Sequence, residues 1–161
     1  MLVIGIATDL EKPEVWQIIR SVIAAGDTYV FAPDTSEVEM MAYWFSADKH
    51  TYAAVLDGKV VGTFWLRPNQ PGLGAHVANA AYMVAPEAKG KGVGERMAEY
   101  SLEEARRLGF TAMQFNFVVK TNIVAVRLWL KIGFEIIGEI PDAFDHSKLG
   151  PTNAYIMYRK L

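Results

Sequence analysis

Cysteine is absent from the 161-residue chain. That excludes disulfides, thiolate metal sites and a cysteine nucleophile that would carry the acyl group covalently. Long apolar runs are absent too. Although 52% of the residues are hydrophobic, no stretch approaches the ~20 apolar residues of a membrane-spanning helix. There is no basic excess: 16 Lys and Arg against 18 Asp and Glu leave a formal net charge of -2, which argues against nucleic acid as the main partner. The N-terminal MLVIGIATDLEK lacks a basic segment ahead of its short apolar run, and Asp9 and Glu11 follow at once, unlike a secretory leader. Repeats, low-complexity tracts and linkers between two compositions are also missing. The expectation is one soluble, cytoplasmic domain over residues 1–161, with a sizeable core, no membrane partner and no metal.

What is present is an order of elements. Residues 2–7 read as a short buried strand. Pro13 opens a helix whose Val15, Ile18, Ile19 and Val22 follow helical spacing up to Gly26 and Asp27. A second helix is expected from about Ser36 to Phe45. Strands at about 50–56 and 59–67 flank Asp57-Gly58, a pair suited to a type I′ hairpin turn. After the loop 68–74 comes a third strand, about 75–84, and the three form an antiparallel meander. A helix over 93–108 places Met97, Ala98, Leu102 and Ala105 on one face and charges on the other. A strand over 112–118 follows. Asn122 then caps a helix to about Lys131, with Gly133 at its end. Strands at about 134–139 and 153–160 are joined by the loop PDAFDHSKLGP. The unit of strand, helix and strand from 75 to 118 must be parallel and cross over right-handed, so an α/β fold with a mixed sheet and helices on both faces is predicted.

The most informative segment runs from Val84 to Glu95, where a strand ends and a helix begins. Gly90, Gly92 and Gly94 alternate with larger residues, and Lys89 and Lys91 add positive charge. Glycine permits a tight turn and close approach of a ligand. The following helix supplies unpaired N–H groups and the positive end of its dipole, which together suit a phosphate. A glycine-rich bend between strand and helix is the plainer reading. A Walker A loop would need Ser or Thr after Gly-Lys, but Gly92 follows Lys91. A dinucleotide fingerprint would need Gly-x-Gly-x-x-Gly after the first strand, and neither condition holds.

Lys89-Gly90-Lys91-Gly92-Val93-Gly94 resembles the pyrophosphate loop of the GCN5-related N-acetyltransferases, the GNAT family, with Lys89 in place of the usual Arg or Gln. A second block resembles the family's downstream segment: Asn122, Ala125, Leu128, Lys131, Gly133 and Phe134. The order and spacing of the blocks and the meander ahead of them extend the resemblance over most of the chain. It implies a GNAT-like fold and transfer of acetyl from acetyl-CoA to a primary amine of a small molecule or peptide by direct attack. A non-catalytic acyl-CoA-binding module on the same fold is the alternative. Homodimers are frequent among such proteins. The resemblance also implies that Met83 and Val84 offer backbone groups to the pantetheine arm and that residues 89–95 (Lys89, Gly90, Lys91, Gly92, Val93, Gly94, Glu95) hold the pyrophosphate. Asn122, Trp129 and Lys131 would line the other side, in a splay between the strands at 75–84 and 112–118.

The catalytic groups are less legible. Trp129 stands where many members carry Tyr, and an indole N–H donates a hydrogen bond without releasing a proton. Ala78 falls where histone-type members carry a base Glu, and residues 75–84 contain no carboxylate. Asn79, Trp129 and His146 are the catalytic candidates, His146 for its suitable titration range. Tyr82 and Asn116 are polar side chains on the two strands of the expected site, Asp142 and Asp145 of the late loop are within reach of its acceptor side, and ordered water is a further carrier for the amine's proton. Asp9, Asp34, Glu37 and Glu39 are candidates for binding a cationic acceptor, and Tyr29, Phe31, Tyr43, Trp44, Phe45 and Trp65 for core or acceptor cleft.

Overall fold

The computed structural model describes residues 1–161. In chain order the elements are β1 (Leu2–Ile6), α1 (Lys12–Ala25), α2 (Glu37–Trp44), β2 (His50–Leu56), β3 (Lys59–Pro68), β4 (Val77–Val84), α3 (Val93–Arg107), β5 (Ala112–Val119), α4 (Ile123–Lys131), β6 (Glu135–His146) and β7 (Gly150–Lys160). All seven strands belong to one mixed sheet in the order β1-β2-β3-β4-β5-β7-β6. Only β4 and β5 run parallel.

Local chemistry explains the boundaries. Asp57 and Gly58 both take positive φ, 50° and 83°, so the β2–β3 turn has the backbone that Asp-Gly favours. Pro sits in the first turn of α1, and Gly26 ends it in the left-handed region. The hydroxyl of Ser36 accepts from Glu39 N–H and caps α2. At the end of α4, Gly133 N–H donates to Leu130 C=O and Phe134 N–H to Trp129 C=O, the paired bonds of a Schellman stop.

Alternation along the strands sorts the core into two layers. Tyr52, Phe64 and Tyr82 stack in a row, and the first two meet Tyr100 of α3. Thr63 and Trp65 point the other way, to Trp44 of α2. Gly62 has no side chain because α3 presses there: a Cβ would stand 2.7 Å from Met97 Sδ. Trp44, Tyr52, Phe64 and Ile19 are fully buried, and each large apolar side chain so buried contributes roughly 1.5–3 kcal/mol.

One expectation fails. The segment read as a loop, PDAFDHSKLGP, is mostly strand: β6 continues to His146 and β7 begins at Gly150. The segment carries two prolines, Pro141 and Pro151, and the sheet accommodates both. Pro141 lies in the register shift between Ile140 and Phe144, on the outermost strand, where no ladder bond is lost. Pro151 pairs with Asp145, beyond the last β5–β7 partner at Ala154. The long hairpin folds back far enough for Ser147 N–H and hydroxyl to donate to Gly26 C=O and Ala25 C=O at the end of α1.

Candidate active site

Only two residue pairs join β4 to β5, Val77 with Ala112 and Ala78 with Met113. Beyond them β4 continues to Val84 without a β5 partner, and the glycine bend follows. Ladder alternation decides which groups line this gap in the pairing. Ala85 N–H donates to Val61 C=O and Asn69 N–H to Val77 C=O, so odd-numbered residues of β4 bond to β3. Even-numbered residues face β5, as Thr111 N–H bonding His76 C=O demonstrates. The edge of the gap is therefore made of the backbone groups of Ala80, Tyr82 and Val84.

Trp129 of α4 lies across the parting. Its ring centroid is 4.9 Å from that of Tyr82 on β4 and 4.5 Å from that of Phe115 on β5. Phe134 stacks on Phe115 at 4.4 Å. These rings form a solid floor under the gap on the α3–α4 face.

The bend after β4 holds Gly90 and Gly92 at φ 77° and 75°, with open space where a Cβ would stand. The first bond into α3 is Arg96 N–H to Gly92 C=O, and Lys91 N–H is turned back to Ala88 C=O. The amides of Gly90, Gly92, Val93, Gly94 and Glu95 have no protein acceptor. Five unpaired N–H groups thus lie at or just before the positive end of a 15-residue helix, where an anion is favoured. Lys89 and Lys91 flank it, exposed.

The predicted residues divide. Val84 turns its N–H and C=O into the gap. Met83 does not: it pairs with Thr63, and its C=O lies 3.3 Å from where a Gly62 Cβ would be, on the β3 side. A one-residue step along a strand reverses the direction of its backbone groups, and sequence alone cannot set that phase. Asn79 is buried, and its Oδ1 accepts from Ala80 N–H at 2.8 Å; this bond satisfies one gap-facing amide. Asn116 donates to Asn69 Oδ1 and accepts from Gln114. Asn122 caps α4 through Ala125 N–H at 3.4 Å. Lys131 and Glu95, both expected at the cofactor, pair with each other at 2.6 Å, a bridge from the end of α4 to the first turn of α3 that holds the lysine's pKa above its ordinary value.

Two catalytic candidates, Trp129 and His146, are held by their surroundings. Trp129 is 7% exposed and packed among aromatic rings, so it braces the gap and has no proton to supply. His146 ends β6, where its Nδ1 accepts from the N–H groups of Lys148 and Leu149 at 3.1 and 3.2 Å. A neutral imidazole has one ring lone pair, and here the β6–β7 turn uses it, which leaves none for a base. The carboxylates of Asp9, Asp34, Glu37 and Glu39 stay exposed, and Asp9 is held by Lys12 at 2.6 Å.

On the α2 face an aromatic wall borders the gap. Tyr29 stacks on Phe31 at 6.5 Å, Phe31 meets Tyr43 at 5.0 Å, and Tyr43 meets Trp65 at 6.3 Å. Lys49 Nζ lies 3.8 Å over the Tyr43 ring, and burial lowers its pKa. The feature that sequence reading missed is the Tyr29 hydroxyl. It accepts from Tyr82 N–H at 2.9 Å and donates to Tyr82 C=O. Desolvation pushes its titration well above the ordinary phenol range. An aromatic before a helix reads as core; nothing in its neighbourhood signals a partner 53 residues away.

Comparison with known proteins agrees with this geometry. A structure of a GCN5-related N-acetyltransferase from Kribbella flavida superposes with a TM-score of 0.95 and 40% identity, covering 99% of this chain and 98% of that one. A phosphinothricin acetyltransferase from Sinorhizobium meliloti, in complex with AcCoA, is 19% identical with a TM-score of 0.87 over 99% of this chain and 88% of its own, a likeness of fold. N-acetyltransferase aca1 of Schizosaccharomyces pombe is 39% identical over 84 residues, 52% of this chain and 40% of that relative. The chain thus spans less than half the length of the curated relatives it matches. The profile described as "Acetyltransferase (GNAT) family" matches residues 16–134, about three-quarters of the chain and the whole of the gap, the glycine bend and α4. On that match and this fold, the chain belongs to the GNAT acetyltransferase family.

Proposed function

We propose that residues 1–161 act as one acetyltransferase domain that moves acetyl from acetyl-CoA to a primary amine of a small molecule or peptide. The observation that carries the reading is the continuity of two unsatisfied surfaces: the open edge of β4 at Val84, and the five unpaired amides of the bend that follows. A donor with a diphosphate at one end and an amide-bearing arm leading to an acyl group matches both. The residues fit it: the positions at Gly90 and Gly92 where a Cβ would crowd a phosphate are clear.

In this reading the amides of residues 90 and 92–95 hold the diphosphate, with Lys89 and Lys91 adding charge. Val84 pairs with the arm as a neighbouring strand would. Bound acetyl-CoA supplies an activated carbonyl. Tyr82 N–H, one strand repeat further from the bend, is the donor placed to polarise it. The amine approaches from the α2 face, because the rings of Tyr82, Trp129 and Phe115 close the other. Positioning is then the main contribution: the amine nitrogen bonds to the thioester carbon, the C–S bond breaks, and the thiolate of CoA leaves. No carboxylate of β4 takes the amine's proton, so water carries it, and the thiolate is protonated in turn.

Turnover with a panel of primary amines, read as release of free CoA, is the test. Acetylated product from at least one amine is expected. Tight acetyl-CoA binding with no turnover on any amine would leave a binding module in its place. A cytoplasmic location and a homodimer remain part of the reading, checked by fractionation and by light scattering. No helix is long and apolar enough to cross a membrane.

A further inference from the structure

Beyond Ala78 the even-numbered residues of β4 have no β5 partner, yet at one of them both backbone groups are occupied. Tyr82 has both backbone groups occupied by a single hydroxyl, that of Tyr29, which accepts from its N–H and donates to its C=O. Tyr29 comes from the segment between α1 and α2, so it reaches the gap from the α2 face. Its neighbours along the edge differ. Ala80 N–H is satisfied by Asn79 Oδ1, while Val84, next to the glycine bend, has no partner on its gap side. The slot is therefore open where a donor's arm would begin and filled where its acyl end would arrive.

We infer that the Tyr29 phenol is the resident occupant of the acyl end of the slot, and that acetyl-CoA must displace it from Tyr82 to dock its carbonyl. The inference rests on the proposed donor site. One N–H cannot donate at full strength to two acceptors, so the hydroxyl and the carbonyl compete for Tyr82. The displaced phenol remains attached to the aromatic wall through its contact with Phe31. Donor binding therefore rearranges the wall that an amine must pass, and Tyr29 is a positioning residue that links the two halves of the site. Only the acyl end is contested. A ligand that fills the phosphate bend alone leaves Tyr29 where it is.

The test is Tyr29→Phe, which keeps the ring and removes the hydroxyl, with affinities from calorimetry for acetyl-CoA and for adenosine 5′-diphosphate, which keeps the diphosphate and lacks the arm. The expected result is acetyl-CoA affinity roughly tenfold tighter than wild type, from the loss of two competing hydrogen bonds, with the diphosphate unchanged. Unchanged affinity for both ligands, or parallel weakening of both, overturns the inference and leaves Tyr29 a packing residue. Failure of wild type to bind either ligand removes the donor site itself, a separate outcome. If the variant does not fold, crystals of wild type with acetyl-CoA decide. Tyr29 Oη should have left Tyr82 N–H, with the thioester carbonyl in its place. A hydroxyl still on Tyr82 beside bound donor overturns the inference.

Discussion

Trp129 and Phe115 stand with ring centroids 4.5 Å apart, and this contact braces α4 against β5 just past the point where β5 leaves β4. The wedge gives the indole a mechanical task. Trp129→Ala should destabilise the protein by about 3–5 kcal/mol, the usual cost of emptying a large aromatic site, read by denaturant unfolding. Trp129→Phe retains a ring on both strands, and its turnover should stay within about threefold of wild type. A hundredfold loss of turnover in a well-folded Trp129→Phe would mean that the indole N–H takes part in the chemistry.

Gly92 combines a positive φ with the N-cap position of α3. Aspartate tolerates that backbone better than most residues and is a favoured cap. Gly92→Asp should therefore fold with a melting temperature within a few degrees of wild type. Its carboxylate would stand among the five unpaired amides and repel a diphosphate. Acetyl-CoA affinity should fall at least about a hundredfold by calorimetry. Wild-type affinity in this variant would move the phosphate site away from the bend.

His146 ties the tip of the β6–β7 hairpin with two backbone bonds. Its replacement by Ala should lower stability by about 0.5–1.5 kcal/mol, because the freed amides are exposed and water takes over. The turnover number and its pH profile should not move. A profile that loses its acidic limb in His146→Ala would restore the imidazole as a base.

Glu104 links two layers: it receives two bonds from Arg107, at 2.8 and 2.9 Å, and one from the Tyr52 hydroxyl at 2.9 Å. The hydrogen-bonded Arg107 is the largest influence holding its carboxyl below the ordinary glutamate range. A carboxyl depressed in the folded state stabilises fully above its unfolded value, about 4.3, and loses that contribution as pH falls through the folded value. Glu104→Gln should therefore be less stable than wild type at pH 7, and the difference should close in strongly acidic buffer. Unfolding curves across that range check it; a difference independent of pH would assign the loss to geometry alone.

Much of the fold was legible because it is written in local signals. Asp57-Gly58 required its turn, Gly26 and Gly133 stopped their helices, Asn122 capped α4, and the spacing of Met97, Ala98, Leu102 and Ala105 set the buried face of α3. The β6–β7 hairpin was not legible, because its pairing is set by the sheet and not by a local signal. Proline usually breaks a strand, and only the position of β6 at the sheet edge makes Pro141 harmless.

The same division runs through the site. The sequence by itself determined the chemistry of the bend, because three glycines and a helix start produce unpaired amides through backbone geometry alone, and two motif blocks sufficed to place the chain in its family. Tertiary structure alone decided which backbone groups face the gap, since the phase of a strand depends on the neighbour it pairs with. It decided that Trp129 is a wedge, that the lone pair of His146 serves a turn, and that Tyr29 reaches Tyr82 across 53 residues. Each of these depends on long-range packing, which no local pattern encodes.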